Sequence, residues 1–359
     1  MLISEDKKTD LELEDIASEV EDSEIDNAPY EIRTLGADFS LELYSQKISS
    51  KEIIIPDFQR KYVWPIKKAS KLIESFLLGL PVPQVFLYQE ASKRDLLVVD
   101  GQQRLLSSHS FLQGKFEDGT AFHLRGVKQK WEGKNFDDLE ESDKRRLKNY
   151  ILRATIFEQI DPKDDKSVYE IFERLNTGGM PLTEQEVRNC VNRGNINAFL
   201  EKLNSGQSWR QLLGKNDPDK RMKDIEIILR VLALIENWKS YEKPMKDSIS
   251  GYMEKYVNIS EVDQSRLQRL FETATDTIFN QVGSSAFHLT VGRVNVAVLD
   301  SVLTSVALLG PEKIDKMKDN LELLKINKSY MDYVSKSTTD NDSVKGRIKM
   351  AMEAFGHKA

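Results

Sequence analysis

The chain has one cysteine, Cys190, in 359 residues. A single thiol cannot close an intramolecular disulfide or build a multi-cysteine zinc site, and such sparing use fits a reducing, cytoplasmic setting. Histidine is also scarce: the four, at positions 109, 123, 288 and 357, include no pair at metal-ligand spacing. No apolar run reaches the roughly 20 residues that a bilayer span needs. The most apolar late stretch, Val294 to Leu309, is interrupted by Asp300, Ser301, Thr304 and Ser305 and reads as a buried helix. The N-terminus is acidic and lacks an apolar core, so neither a signal peptide nor a membrane role is expected.

What is there is a soluble composition, 40% hydrophobic and 31% charged, in a length that suits roughly two domains. The charge is uneven. Residues 1–31 hold twelve acids and two bases, a net of −10, so a total of −6 leaves +4 on the rest. The tail is expected to be flexible, with an acidic interaction arm or a short helix docked through Leu11, Leu13, Ile16 and Val20 as alternatives. A mildly basic body is compatible with nucleotide or nucleic-acid binding without requiring it.

The stretch with the most chemistry is Asp100-Gly101-Gln102-Gln103-Arg104. It follows the apolar run Leu96 to Val99 and opens a helical pattern, Leu105 to Leu112. A buried strand feeding a helix through Asp-Gly presents the helix's first N–H groups, which have no intrahelical partner and carry the positive end of the dipole. Phosphate suits such an end. Arg104 adds a forked cation in the first turn, Gln102 and Gln103 add amides, and Asp100 could hold a metal ion or orient water. The plainer alternative is that Asp100 caps the helix and Gly101 relieves a tight turn.

Upstream, Ser40 to Gln46 reads as a short helix and Lys51 to Ile55 as a strand stopped by Pro56. Phe58-Gln59-Arg60-Lys61-Tyr62-Val63-Trp64 then reads as a loop laying Gln59 and Arg60 beside a ligand, or as a loop anchored by three aromatics. Ala69, Leu72, Ile73, Phe76 and Leu77 recur at helical spacing, with Pro65 before them and Gly79 after. Pro83 to Gln89 is an expected strand, Ala91 to Asp95 a turn, and His109 a half-buried histidine rather than a base.

Residues 114–135 read as a hairpin or irregular insertion around Trp131, 137–148 as a helix, and Tyr150 to Gln159 as a strand. Lys144, Arg145, Arg146 and Lys148 end that helix. They complement its dipole or, in the sharper reading, contact DNA phosphates. Val168 to Leu175 gives a helical face that ends at Asn176-Thr177-Gly178-Gly179. Thr183-Glu184-Gln185-Glu186 is a capping box for the next helix. The glycine corner between them carries Arg174, Asn176, Thr177, Glu186, Arg188 and Asn189. From 195 onward the pattern is helical, over 195–203, 221–238, 246–257, 263–281, 292–309, 311–325 and 343–355. Lys345, Arg347 and Lys349 on the last helix read as a solvated face, with a DNA-facing role as the alternative.

Ile55 to Trp64, Asp100 to Arg104, and Phe172-Glu173-Arg174-Leu175-Asn176-Thr177-Gly178-Gly179 with Leu182 and Glu186 resemble, in order, the N-terminal domain of GmrSD-type modification-dependent restriction enzymes. The resemblance covers roughly residues 35–195. It implies a ParB/sulfiredoxin-like fold; with the helical pattern from 195 onward and a boundary near the Gly178 corner, the expected chain is α+β, a ParB/sulfiredoxin-like domain over 32–180 followed by an all-α domain over 181–359. The resemblance also implies a nucleoside triphosphate and Mg over the strand-to-helix turn. Asp100 would act on metal or water, with Arg104 as the other catalytic group. Gly101, Gln102 and Gln103 would hold phosphate, Gln59 and Arg60 would reach in from the first loop, and Asn176, Thr177 and Gly178 would close the pocket. Restriction members usually add a His-Asn-His nuclease. Neither His288 nor His357 has the partner pattern for that chemistry, so cleavage is expected from a separate nuclease, with a methyltransferase as another candidate partner and an oligomer allowed. The expected function is a nucleotide-dependent sensor or regulatory subunit of an anti-phage, restriction-like system that couples to DNA or to that nuclease. The alternative is a DNA-binding module that needs no nucleotide.

Overall fold

The structure, a computed structural model, describes residues 31–55, 64–89, 95–161, 171, 174, 183–290, 293–314 and 316–356. The described residues fall into two compact units, which divide between Leu182 and Thr183. The first is α+β and the second is helical.

The first unit is built on a mixed sheet of five strands in the order β1-β5-β3-β4-β2: β1 Glu31–Ser40, β2 Ile53–Ile54, β3 Val85–Gln89, β4 Leu96–Asp100 and β5 Ile151–Asp161. β1 runs antiparallel to β5 and β3 antiparallel to β4, while β5–β3 and β4–β2 are parallel. β4 is buried over Leu96 to Val99, as a continuous apolar run in an inner strand requires. Its last residue, Asp100, faces Phe86 across a register shift at the start of β3.

The helices described over their full length in this unit are α1 (Leu41–Ser49), α2 (Ile66–Leu78), α3 (Gln102–Leu112) and α4 (Glu141–Lys148). α1 starts where Ser40 Oγ accepts from Leu43 N–H at 3.2 Å, a side-chain cap. α2 buries the expected Ala69, Leu72, Ile73, Phe76 and Leu77 and ends at Gly79, whose φ of 71° lets the chain turn off the helix. The insertion at 114–135 is irregular, with one isolated bridge, Lys115–Ala121. Trp131 is buried there and donates to Asp143 Oδ2 at 2.8 Å. Burial pushes the Asp143 carboxyl up, but the bonds from Trp131 and Lys130 outweigh it and hold the group below its ordinary range.

α4 begins four residues later than its helical pattern. Asn135 and Asp138 take each other's backbone N–H, at 3.1 and 2.9 Å, and this local turn competes with helix at 137–140.

The second unit comprises α5 (Glu184–Val191), α6 (Asn195–Asn204), α7 (Gln207–Leu213), α8 (Lys223–Asn237), α9 (Met245–Lys255), α10 (Glu261–Gln281), α11 (Val296–Leu309), α12 (Met317–Ile326), α13 (Lys328–Ser335) and α14 (Asn341–Phe355). α7 and α13 are additions to the helices expected from the sequence. Both are short, and each lies in a stretch whose charged and polar residues mask its few buried positions.

α11 is the apolar stretch read as a buried helix, and Asp300, Ser301, Thr304 and Ser305 on it are fully buried. Asp300 accepts from Arg347 Nε and Nη2, both at 2.7 Å, and from Arg230 Nε at 2.7 Å. Arg347 was expected on a solvated face or against DNA; it is instead wholly buried and ties α14 to α11. No helix among the described residues is long and apolar enough to cross a membrane.

Candidate functional site

β4 delivers Asp100 to the sheet's edge of chemistry, Gly101 makes the turn, and α3 starts at Gln102. Gly101 has φ 97°, in the left-handed region, and offers α3 no side-chain cap. A Cβ added there would stand 2.4 Å from Val85 Cγ1 and 2.9 Å from Val85 Cβ. The turn therefore needs glycine twice over, for conformation and for space. The first intrahelical bond of α3 runs from Leu105 N–H to Gly101 C=O at 3.0 Å, so the amides before it point along the helix axis, out of the N-terminus.

Arg104 folds back one turn. Its Nη2 donates to Asp100 Oδ2 and its Nη1 to the Pro83 carbonyl at 3.0 Å. Its side chain is 14% exposed and that of Asp100 36%. The pair is partly buried, and Asp100 is its more accessible member. Nε–H and one hydrogen on each Nη are left over. Gln103 Oε1 accepts from Trp64 N–H at 3.3 Å and so joins α3 to the segment before α2.

Asp100, Gly101, Gln102, Gln103 and Arg104 thus gather at one strand-to-helix junction. Gln59, Arg60, Asn176, Thr177 and Gly178 lie outside the described residues. Of the rest of the glycine-corner set, Arg174 is exposed in the α+β unit, and Glu186, Arg188 and Asn189 are occupied inside the helical unit. Glu186 forms the capping box with Thr183, at 3.2 and 2.6 Å. Arg188 is 1% exposed and donates to Glu184, Gln185, Glu226 and Ser250. Asn189 accepts from Gln185 at 2.9 Å. These side chains build the interior. His109 likewise meets Ser45 Oγ at 2.9 Å through Nδ1, and burial lowers its pKa.

The α4 cations are also engaged: Lys144 with Glu141 at 2.9 Å, Arg145 with the Glu141 carbonyl at 3.3 Å, Arg146 with the Leu77 carbonyl at 3.0 Å and Lys148 with Glu42 at 3.0 Å. Arg146 and Lys148 pin α4 to α2 and α1. A shallow cleft of about 430 Å³ opens beside Asp38, Pro81, Val82, Gln84, Tyr150 and Arg153, and none of the expected site residues lines it. Asp38 and Arg153 neutralise each other there at 3.0 Å.

Among the described residues no three His, Cys, Asp or Glu side chains gather to hold a metal by themselves. Mg is commonly held by one or two carboxylates together with substrate phosphates. The one partly exposed carboxylate of Asp100, beside a guanidinium, fits a cation that arrives with a polyphosphate. Two features escaped the sequence, the Pro83 carbonyl under Arg104 and the wall that Val85 puts against Gly101. Neither residue carries a motif; both matter through backbone position and shape.

No curated protein sequence matches the chain. Among solved structures, "Structure of the pNOB8-like ParB N-domain" aligns over 90% of this chain and 99% of that one, at 13% identity and a TM-score of 0.23. Residues 41–192 match the family model described as "GmrSD restriction endonuclease, N-terminal domain", a span that runs from α1 through the Asp100–Arg104 junction to the end of α5. Over that span the chain is similar to the N-terminal domain of the GmrSD restriction endonucleases.

Proposed function

We propose that the α+β unit is the nucleotide-binding regulatory module of a restriction-like defence system, with a nucleoside triphosphate and Mg bound at the β4–α3 junction. The observation that carries the reading is the convergence, at a turn that only glycine fits, of a helix N-terminus, a carboxylate and a guanidinium paired with it. The family match to a restriction endonuclease domain supports the defence context.

In this reading the α3 amides and the spare donors of Arg104 take phosphate oxygens, and Asp100 takes the cation. A bound Mg would supply neutralisation of the phosphate charge. Arg104 is placed to stabilise charge on a phosphoryl group, and Asp100 to orient Arg104 until ligand arrives. DNA or a partner nuclease would read the bound state. The nucleotide-independent alternative draws on Lys144, Arg145, Arg146 and Lys148, of which Arg146 and Lys148 also tie α4 to α2 and α1.

The test is titration calorimetry and phosphate-release assays of the full chain with Mg and ATP or GTP, for wild type, Asp100→Ala and Arg104→Ala. Wild type is expected to bind one equivalent. Arg104→Ala should weaken binding about 10- to 100-fold, the usual worth of charged hydrogen bonds. Equal binding by all three proteins would remove the site.

A further inference from the structure

The α4 cations expected to meet DNA each have a partner in their own unit, and another set lacks carboxylate partners among the described residues. Residues 125–128 lie along α2 and are stitched to it. Arg125 N–H donates to Ser70 Oγ at 2.9 Å and Lys128 N–H to Glu74 Oε1 at 2.7 Å. Ser70 and Glu74 are one helical turn apart and both are buried. The acids of this region face inward: Glu74 serves Lys128 N–H and Lys71 Nζ, and Glu132 accepts from Val127 N–H at 3.0 Å.

The cations face outward. Lys67, Lys68, Arg125 and Lys128 are all exposed. Among the described residues no carboxylate pairs with the side chain of Lys67, Lys68 or Arg125 within salt-bridge distance, and the field of Lys128 falls partly on Glu74. Lys68 Nζ stands 4.4 Å from the centre of the Trp64 ring. The stem of Lys67 runs beside Gly126, where an added Cβ would lie 3.7 Å from Lys67 Cγ. Loop and helix therefore lie side by side, with room for ordinary contact, and the charges form one ridge.

We propose that this ridge, the outer side of α2 with residues 125–128, is a contact surface for the phosphate backbone of duplex DNA. A row of long, uncommitted cations with an aromatic beside it and the acids withdrawn is the arrangement that a regularly spaced polyanion rewards through counterion release. The chain's total charge of −6 does not oppose this, because fields from distant charges are screened beyond about 10 Å at 0.1 M salt. Trp64, at one end of the ridge, is hydrogen-bonded to Gln103 in the first turn of α3, so the surface begins where the candidate nucleotide site is. The inference rests on the DNA-related part of the proposed function and not on the nucleotide itself.

The test is fluorescence anisotropy of labelled duplex DNA with the full chain over a series of salt concentrations. The variants are Lys67→Gln/Lys68→Gln/Arg125→Gln/Lys128→Gln, the milder Lys67→Gln/Lys68→Gln, and Lys144→Gln/Lys148→Gln as the comparison. Wild type is expected to bind, and the fourfold variant to bind at least 10-fold more weakly at low salt. Its plot of log affinity against log salt should be shallower by up to about 3.6, four phosphates at 0.9 each. The double ridge variant should fall between, and the α4 variant should follow wild type. Nucleotide titration of the fourfold variant should match wild type, which separates loss of the ridge from loss of the nucleotide site. No affinity of wild type for duplex, equal slopes for ridge variants and wild type, or competition by poly-glutamate as effective as that by DNA at matched charge would each overturn the assignment.

Discussion

Asp300→Asn is expected to destabilise the helical unit by about 3–5 kcal/mol, the cost of breaking a buried ion pair by removing one partner. The side chain is wholly buried and takes three hydrogen bonds from two guanidiniums, two of them a parallel fork from Arg347. An amide keeps the shape but loses the charge and turns one acceptor into a donor facing a donor. Arg230 and Arg347 would then sit in the interior of α8, α11 and α14 without a counter-charge. Denaturant unfolding of the variant checks this. Replacing all three residues by apolar ones (Asp300→Leu, Arg230→Met, Arg347→Met) should cost far less than the single change, because the expense lies in an unmatched charge and not in the absence of the pair. A loss under 1 kcal/mol for Asp300→Asn would mean that the cluster is hydrated.

Gly101→Ala is expected to cost about 3 kcal/mol, made of about 1–2 kcal/mol for a left-handed non-glycine residue and about 1–3 kcal/mol for overpacking. The overpacking has a single source, Val85 Cγ1 and Cβ. Val85→Ala removes Cγ1 but leaves Cβ at 2.9 Å, so in that background Gly101→Ala should cost the conformational part and a reduced share of the overpacking. The double-mutant cycle should then show a coupling of about 1–2 kcal/mol. Additive effects would place Val85 elsewhere. Because the junction positions the α3 amides, Gly101→Ala should also abolish nucleotide binding at concentrations where the protein remains folded.

The junction was readable from the sequence for a physical reason. Four apolar residues in a row, an Asp-Gly pair and a helical period leave few alternatives to buried strand, turn and helix. α2 was readable from its five spaced apolar positions, and α11 from its long apolar run. β1 was not, because an edge strand exposed over most of its length has no alternation to read and contains Gly36 and Asp38. The burial of Arg347 was hidden because a charged residue on an amphipathic helix looks solvated until its distant partner, Asp300, is known. The same holds for Arg146, whose partner is a backbone carbonyl of α2. Side chains that matter through pairing across the fold leave little trace in local pattern, and the cations of α4 and the ridge differ only in that respect.

The central claim, that a polyphosphate seats on the β4–α3 junction, is tested most directly by hydrogen exchange of the full chain with and without Mg and nucleoside triphosphate. The account predicts slowed exchange in peptides covering Gly101 to Leu105, lost in Arg104→Ala. Unchanged exchange across that turn, under conditions where calorimetry reports a bound nucleotide, would contradict it.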